Sequence, residues 1–225
     1  MTIKQLLGQV NSWVEVHPAF EFDPENYSIE GYYELCNSVT GKVIDGYFIE
    51  VKLSVDSLST LFPAVYETKG RIERIADRHM YPDGRLCLTT RFVQRHACRK
   101  GLSFSSFMAK VVEPFLMTQL LIERGVIDKF PQGEYSHGWL GIVEGYNDII
   151  GVDDPELIIK LLLLNRSRKL QRPNDSCVCG SGKKFKYCHR SAVRKIGYLD
   201  ADDMNNEIDW LKRCIGQHSQ SGQKA

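Results

Sequence analysis

The sequence has no apolar run long enough to cross a membrane. The longest run, residues 157–164, is interrupted by Lys160 and is far shorter than the roughly 20 residues that a membrane helix needs. The first 13 residues also lack the apolar core and small-residue cleavage site of a secretory signal peptide. We therefore predict a cytoplasmic protein that has no membrane partner.

Net charge is nearly absent as well, since the 225 residues carry a formal charge of +1 at pH 7. This overall balance says nothing about the partner. The charge is unevenly distributed, however. Residues 166–195 contain ten Lys and Arg and a single acid, Asp175, which gives a net charge of +9. This change in composition predicts a domain boundary followed by a basic linker and a basic module.

The sequence contains seven cysteines but lacks the export signal that usually accompanies a disulfide framework. In a reducing compartment, cysteines serve as metal ligands, nucleophiles or core residues. Two segments are distinctive in this respect: residues 177–189, where three cysteines and a histidine lie close together, and the irregular loop around Cys87.

Hydrophobic periodicity predicts an α+β fold. Apolar residues at helical spacing predict a helix over about residues 3–14. Alternating apolar and polar residues over 47–55, with strand-like stretches near 27–35 and 64–68, predict an antiparallel meander of about four strands. Helical patterns follow from residue 103 onward, so we expect the sheet to pack against helices.

Composition divides the chain into four predicted parts. The first is a folded domain over residues 1–165, and the second is a basic linker over 166–175. A small zinc-binding module with a C-terminal helix is predicted over 176–215. The polar residues 216–225 are predicted to form a disordered tail.

Four potential metal ligands lie within thirteen residues, namely Cys177, Cys179, Cys188 and His189. A Gly-rich loop separates the two ligand pairs and lets the backbone turn tightly enough for both to face one ion. Three thiolates and one imidazole are a typical set for structural, four-coordinate Zn²⁺. We therefore predict a zinc ion that stabilises a segment too small to form its own core.

This segment closely resembles the SEC-C motif, which has the pattern CxCGSGKKFKxC followed by Cys or His. His189 takes the last ligand position in this chain. SEC-C modules are appended to many unrelated proteins. The resemblance therefore implies a binding module, for protein or nucleic acid, and leaves the partner open.

The loop around Cys87 is the second distinctive segment. His79 and a Pro-Asp-Gly turn at 82–84 precede a cysteine that lies between two leucines. Nearby basic residues, among them Arg85 and Arg91, would favour the thiolate, which is a competent acyl acceptor. We predict that Cys87 is a nucleophile, with a buried core cysteine as the alternative.

Other side chains near this loop are candidates for supporting roles. Tyr81 and Asp83 could orient an incoming amine and help its deprotonation, although Asp83 is equally well explained as a turn former. Cys98 lies between Arg95 and Arg99 and is the rival low-pKa thiol, with an exposed loop cysteine as the alternative.

The stretch around Cys87 resembles the active-site segment of ubiquitin-conjugating enzymes. In that family, a His-Pro-Asn run and a short loop precede an aliphatic residue, the catalytic Cys and Leu. His79 takes the position of the family's His, and Cys87 takes that of the nucleophile. The resemblance covers roughly residues 1–160. It implies that the domain 1–165 has a ubiquitin-conjugating-enzyme-like (UBC-like) fold and transfers acyl groups through a thioester on Cys87.

The chain departs from this pattern where Met80 and Tyr81 replace the family's Pro and Asn. The Asn is thought to support the oxyanion during attack on the thioester, so this stabilisation must come from elsewhere. The candidates are His79, His137 and backbone N–H groups near Cys87.

The sequence is most similar to a divergent bacterial branch of the family, whose members often carry an SHG-like segment after the long helix. Residues 136–138 have this sequence. Many members occur in antiphage operons of cyclic-oligonucleotide-based signalling (CBASS) beside a cGAS-like nucleotidyltransferase. The resemblance implies that Cys87 accepts the C-terminal tail of a nucleotidyltransferase or a ubiquitin-like protein and passes it to an amine.

Two alternatives remain open at this point. The first is a non-catalytic adaptor that retains the fold for binding and docks a partner through the zinc module. The second is a nucleic-acid-binding protein in which the basic zinc module makes the contact.

Overall fold

A computed structural model describes residues 2–130, 138–167 and 171–221. The described residues group into two compact units. Unit 1 contains those of Met1–Thr89 and Ala97–Glu134, and unit 2 contains those of Thr90–His96 and Tyr135–Ala225. Each unit has its own cluster of buried apolar side chains.

Unit 1 combines a four-stranded antiparallel sheet with helices, which confirms the predicted α+β class. The strands follow one another in the order β1-β2-β3-β4, so the predicted meander is also confirmed. The elements are α1 (Ile3–Glu15), β1 (Phe20–Asp23), β2 (Ser28–Cys36), β3 (Val43–Lys52), β4 (Ala64–Glu67), a 3₁₀ turn (Ala76–Arg78), the end of α2 (Arg91–Arg99), α3 (Phe104–Phe107), a π-helical turn (Met108–Val112) and α4 (Glu113–Glu123).

Helix α1 begins at a capping box, in which Thr2 and Gln5 exchange hydrogen bonds between side chain and backbone. Its buried face carries Leu6, Val10 and Trp13 at helical spacing. The Trp13 ring packs edge-on against Phe20, with ring centroids 4.9 Å apart. This contact joins the helix to the first strand.

The sheet buries alternate side chains on one face, as a half-buried antiparallel sheet requires. Ile49 and Val51 of β3 are fully buried, as is Ile29, which lies opposite Val51 on β2. At the other end of β3, two ion pairs of Arg71 connect the strand to α4. Arg71 contacts both Asp45, at 2.8 Å, and Glu123, at 2.9 Å.

Gly46 on β3 lies where the chain has no room for a side chain. A Cβ atom at this position would lie 2.3 Å from the carbonyl oxygen of Tyr33 and 2.8 Å from the ring of Tyr32. We expect Gly46→Ala to lower the free energy of unfolding by about 2 kcal/mol, as forced repacking typically does. Urea unfolding, followed by circular dichroism, measures this change.

Gly8→Ala is the matched control, because no heavy atom lies within 4 Å of a Cβ at this exposed position of α1. Replacing a helical glycine by alanine there should stabilise the protein by about 0.5–1 kcal/mol. Equal urea midpoints for the two variants would contradict the close approach at Gly46.

Unit 2 is helical. It contains the first residues of α2, then α5 (Trp139–Ile150), α6 (Pro155–Arg166), a 3₁₀ turn (Phe185–Tyr187), α7 (Arg190–Ile196) and α8 (Ala201–Ser221). Asp154 caps α6 by accepting a hydrogen bond from the Glu156 backbone N–H at 2.9 Å. The buried residues Ile158 and Leu161 of α6 belong to the same apolar cluster as Ile208 of α8.

The predicted domain boundary after residue 165 falls inside unit 2, as the contacts between residues define that unit. Helices α5 and α6 lie in the same unit as the cysteine-rich segment. Asn165 donates a hydrogen bond to the Val193 carbonyl at 2.7 Å, and Lys195 donates one to the Ile149 carbonyl at 2.6 Å. These bonds and the shared apolar cluster join residues on both sides of the predicted linker, of which residues 168–170 lie outside the described part.

Helix α8 continues to Ser221, so it overlaps the predicted disordered tail 216–225, whose last four residues are not described. Among the helices that the structure describes, none combines the length and the apolar character that crossing a membrane demands.

Candidate functional site

Cys87 lies at the end of a narrow hairpin in unit 1. The Tyr81 N–H donates to the Arg85 carbonyl at 2.8 Å, and the Cys87 N–H donates to the His79 carbonyl at 2.7 Å. The turn between them closes when the Gly84 N–H donates to the Tyr81 carbonyl at 2.9 Å. Gly84 has φ +87°, which glycine adopts without strain. The hairpin therefore places Cys87 directly opposite His79.

Neighbouring elements hold this hairpin in place. Met80 and Leu86 are buried in the apolar cluster of unit 1 and pair across the hairpin. The Leu86 N–H donates to the Val65 carbonyl of β4 at 2.8 Å. Gln119 of α4 is fully buried and donates to the Arg78 carbonyl at 2.6 Å. The thiol is thus carried by a loop with little freedom to move.

The surroundings of the half-buried Cys87 side chain favour the thiol over the thiolate. Burial raises its pKa above the usual value, while a hydrogen bond with the Tyr81 side chain and the positive charge of Arg85 act in the opposite direction. The predicted preference for a thiolate is therefore outweighed by burial. Deprotonation must accompany any reaction of this thiol.

The His79 backbone contacts Cys87 through its carbonyl, which accepts the Cys87 N–H at 2.7 Å. His79 has φ 49°, in the left-handed region, and its ring packs on Phe130 with centroids 4.4 Å apart. Because the Cys87 N–H is already bonded to the His79 carbonyl, this N–H is occupied and is a poor candidate for an oxyanion donor. The predicted residue His137 lies outside the described residues.

Tyr81 and Asp83 play different roles. The Arg85 guanidinium lies 4.2 Å from the centroid of the Tyr81 ring. Both side chains also interact with the Cys87 thiol, so the three residues form one interacting cluster. Asp83 accepts a hydrogen bond from the Arg85 N–H at 3.1 Å, which is the turn-forming role. The rival thiol, Cys98, is not in an exposed loop; it lies on α2 and is buried.

The second site is a cluster of potential metal ligands in unit 2. The ligand atoms of Cys177, Cys179, Cys188 and His189 all lie within 4.8 Å of one another. His189 Nδ1 is 3.3 Å from the sulfur atoms of Cys177 and Cys188, and the sulfur atoms of Cys179 and Cys188 are 3.6 Å apart. A tetrahedral zinc ion requires separations of about 3.5 Å for S···N and about 3.7 Å for S···S. The four predicted ligands are therefore brought together with spacings that suit a metal ion.

The backbone of the loop explains this convergence. The Cys177 N–H donates to the Lys183 carbonyl at 2.9 Å, which closes the loop between the ligand pairs. Gly180 and Gly182 have φ +77° and +71°, values that other residues rarely adopt. Phe185 lies between the two ligand pairs in the sequence. Its side chain is buried in the apolar cluster of unit 2 and so anchors the loop.

The Ser181 hydroxyl lies 3.1 Å from the sulfur of Cys179. Hydrogen bonds from Ser181 lower the pKa of Cys179 to about 6. Burial raises the pKa of Cys188. A lowered pKa favours the thiolate, which is the form that binds a metal ion.

Sequence reasoning missed a buried ionisable group in unit 2. Glu207 of α8 is 4% exposed and accepts a hydrogen bond from the Tyr146 hydroxyl at 2.5 Å. The ring of Tyr146 stacks on Phe92 with centroids 4.3 Å apart. The three residues are far apart in the sequence, and Glu207 lies in a polar stretch that predicts exposure, so no local pattern identifies this group.

Comparison with known proteins identifies one segment. The model of the SEC-C motif matches residues 174–191, which include all four potential ligands. No curated protein and no solved structure matches the chain. The match supports a metal-binding cysteine and histidine cluster within this motif.

Proposed function

We propose that this protein transfers an acyl group from a partner protein to an amine by way of a thioester on Cys87. The observation that supports the proposal best is the hairpin that holds Cys87 opposite His79, with the Tyr81 side chain hydrogen-bonded to the thiol. The order of elements, a helix and a four-stranded meander before the cysteine loop, agrees with the UBC-like fold that the sequence suggests.

The proposed reaction has two steps. In the first, the Cys87 thiol loses its proton and attacks an activated C-terminal carbonyl, and the thiol of the donor thioester leaves. In the second, a lysine amine attacks the Cys87 thioester, an amide forms, and Cys87 is released as a thiol. Thioester exchange and aminolysis need no oxidant, because the acyl carbon keeps its oxidation state throughout.

In this proposal, Tyr81 and Arg85 assist the nucleophile at its sulfur atom. The phenol donates a hydrogen bond and the guanidinium supplies positive charge within reach of the sulfur. Both groups would stabilise negative charge on the sulfur during attack and release. Tyr81 is also 40% exposed, so an incoming acyl group can approach it from solvent.

We further propose that the cluster in unit 2 holds Zn²⁺ as a structural ion. Three thiolates and one imidazole are a ligand set that Zn²⁺ prefers, and four protein ligands leave no open position for catalysis. The module would then present a binding surface rather than perform chemistry. By resemblance to the CBASS proteins, the acyl donor would be the C-terminal tail of a cGAS-like nucleotidyltransferase or a ubiquitin-like protein.

Intact-mass spectrometry tests the role of Cys87. The full-length protein is incubated with a peptide thioester that ends in Gly-Gly, and its mass is read with and without reductant. We expect a reductant-sensitive adduct on the wild type, a reductant-stable ester on Cys87→Ser and no adduct on Cys87→Ala. Tyr81→Phe should slow adduct formation about tenfold by removing one hydrogen bond to the thiol.

Cys36→Ala is the matched control, because it removes another half-buried thiol of unit 1 and should leave adduct formation unchanged. An adduct that persists in Cys87→Ala would refute the assignment of the nucleophile. If Cys87 forms no adduct although the protein remains folded, the non-catalytic adaptor becomes the better hypothesis.

A further inference from the structure

Unit 2 carries a surface that the chemistry at Cys87 does not use. Three basic side chains lie in the metal-ligand loop and two more lie on α7, which follows it directly in the sequence. We call this set, together with one aromatic residue, the basic face: Lys183, Lys184, Lys186, Tyr187, Arg190 and Arg194. All except the half-exposed Arg190 are exposed to solvent.

The charges of this face are uncompensated within the described part of the chain. None of its five cations forms an ion pair with a described residue, whereas Arg95 in the same unit contacts Asp203 at 2.6 Å. Lys195 follows the last residue of the face in the sequence and donates a hydrogen bond to the Ile149 carbonyl. Asp175 is the one acid between residues 166 and 195, and its carboxylate accepts the Arg172 N–H at 3.0 Å.

Tyr187 stands out among the exposed aromatic side chains. It is 75% exposed, and the Lys186 ammonium lies 4.7 Å from the centroid of its ring. Its backbone is held in place, because the Tyr187 N–H donates to the Lys184 carbonyl at 2.9 Å and Phe185, two residues earlier, is buried. An exposed aromatic ring on a fixed backbone, with a cation beside it, offers both a stacking surface and charge to a ligand.

We propose that the basic face binds single-stranded nucleic acid, with Tyr187 stacking on a base and the surrounding Lys and Arg side chains contacting phosphates. Cations alone would suit any polyanion, including an acidic protein. The exposed ring favours an unpaired base, since a base in a duplex is already stacked on its neighbours. The charge pattern contains no base-reading device, so we infer binding without sequence preference.

This proposal does not depend on the acyl-transfer function, because every residue of the face lies in unit 2 and Cys87 lies in unit 1. Fluorescence anisotropy of the full-length, metal-loaded protein tests it. The probes are labelled single strands of oligo-U and oligo-dT, with a duplex of the same length for comparison.

We expect both single strands to bind more tightly than the duplex. With five cations near the backbone, the plot of log affinity against log salt should have a slope of about −3.5. Tyr187→Leu should weaken binding roughly tenfold, whereas Tyr187→Phe, which retains the ring, should bind within about twofold of the wild type. The double variant Lys184→Gln/Lys186→Gln should reduce the magnitude of the salt slope by about 1.4.

Lys212→Gln is the matched control, because it removes an exposed positive charge of unit 2 outside the basic face. The metal content of every variant is measured in parallel, since Tyr187 is adjacent to Cys188. If Tyr187→Leu loses metal, the comparison of single strands with the duplex and the double-lysine variant still decide the question.

Three results would overturn the proposal: no binding at low salt, an affinity for the duplex equal to that for the single strands, or unchanged binding by metal-loaded Tyr187→Leu. Competition by polyglutamate as effective as competition by unlabelled oligo-U would also overturn it and would identify the face as a site for an acidic protein. A preference between oligo-U and oligo-dT would distinguish RNA from DNA as the ligand.

Discussion

Replacing Cys177 by Ser is expected to abolish metal binding and to unfold the cysteine-rich segment while unit 1 remains folded. Cys177 is buried in the apolar cluster of unit 2, and it is one of the four potential metal ligands. Hydrogen-exchange mass spectrometry measures the two units separately. Peptides that cover residues 172–199 should lose protection, whereas peptides from β2 and β3 should keep it.

The magnitude of the effect follows from what the ion contributes to this segment. Backbone hydrogen bonds, such as those from the Cys177 and Gly180 N–H groups, and the buried Phe185 also stabilise the loop between the ligand pairs. A structural zinc ion contributes apparent binding free energies of about 10–16 kcal/mol in small modules. The loss would therefore match or exceed the 5–15 kcal/mol that usually stabilises a whole domain.

Two variants make this experiment specific. His189→Cys retains four ligands and should keep the metal, since zinc accepts four thiolates as readily as three thiolates and one imidazole. Cys36→Ser removes a thiol from unit 1 and should change neither metal content nor protection in unit 2. Elemental analysis should give one zinc per wild-type chain. Full protection in metal-free Cys177→Ser protein would show that the segment folds without the ion.

The sequence was sufficient where residues act locally. The alternation that predicted the β3 strand reflects its position in a half-buried sheet, and the meander follows because consecutive strands pair through short turns. The cluster of four potential metal ligands was also predictable, because its members lie within thirteen residues and the intervening glycines allow the loop to close.

Features that depend on distant residues could not be predicted in the same way. The basic composition after residue 165 suggested a linker, but α6 packs with α7 and α8 through apolar side chains that periodicity cannot assign to a partner. At Cys87, the number of basic neighbours suggested a low pKa. Burial by Leu86 and the surrounding core acts more strongly, and burial is a property of the fold.

As the pH rises from about 5 to 8, ionisation of the buried Glu207 carboxyl is expected to lower the stability of unit 2. Burial, assisted by the negative charge of Asp203, raises the pKa of Glu207 to about 7, while hydrogen bonds from Tyr146 and the Phe92 backbone act in the opposite direction. The other charged groups nearby are Arg91 and Arg95 of α2, both of which contact Asp203.

The sign follows from proton linkage. Between the unfolded pKa of 4.5 and the folded pKa of about 7, the folded state holds a proton that the unfolded state has lost. Stability is therefore greatest below the unfolded pKa, decreases as the pH rises through this window and levels off above the folded pKa. The shift corresponds to a loss of about 3 kcal/mol across the window.

Glu207→Gln should remove this dependence, because the amide keeps the shape and a carbonyl oxygen that accepts the Tyr146 hydroxyl but carries no charge at any pH. At pH 8, the variant should be more stable than the wild type by up to about 3 kcal/mol, and at pH 4.5 the two should be nearly equal. Urea unfolding followed by tryptophan fluorescence reports on this unit through Trp139 and Trp210.

Asp209→Asn on the exposed side of α8 is the charge-matched control, and its pH profile should follow that of the wild type. A Glu207→Gln variant that is less stable than the wild type at pH 8 would show that Glu207 is ionised in the folded state. The Tyr146 hydroxyl and the cations around Asp203 would then hold a buried charge, and Glu207→Gln would destabilise unit 2 instead of stabilising it. The sign of the stability difference between Glu207→Gln and the wild type at pH 8 therefore decides whether the buried Glu207 carboxyl is protonated or ionised.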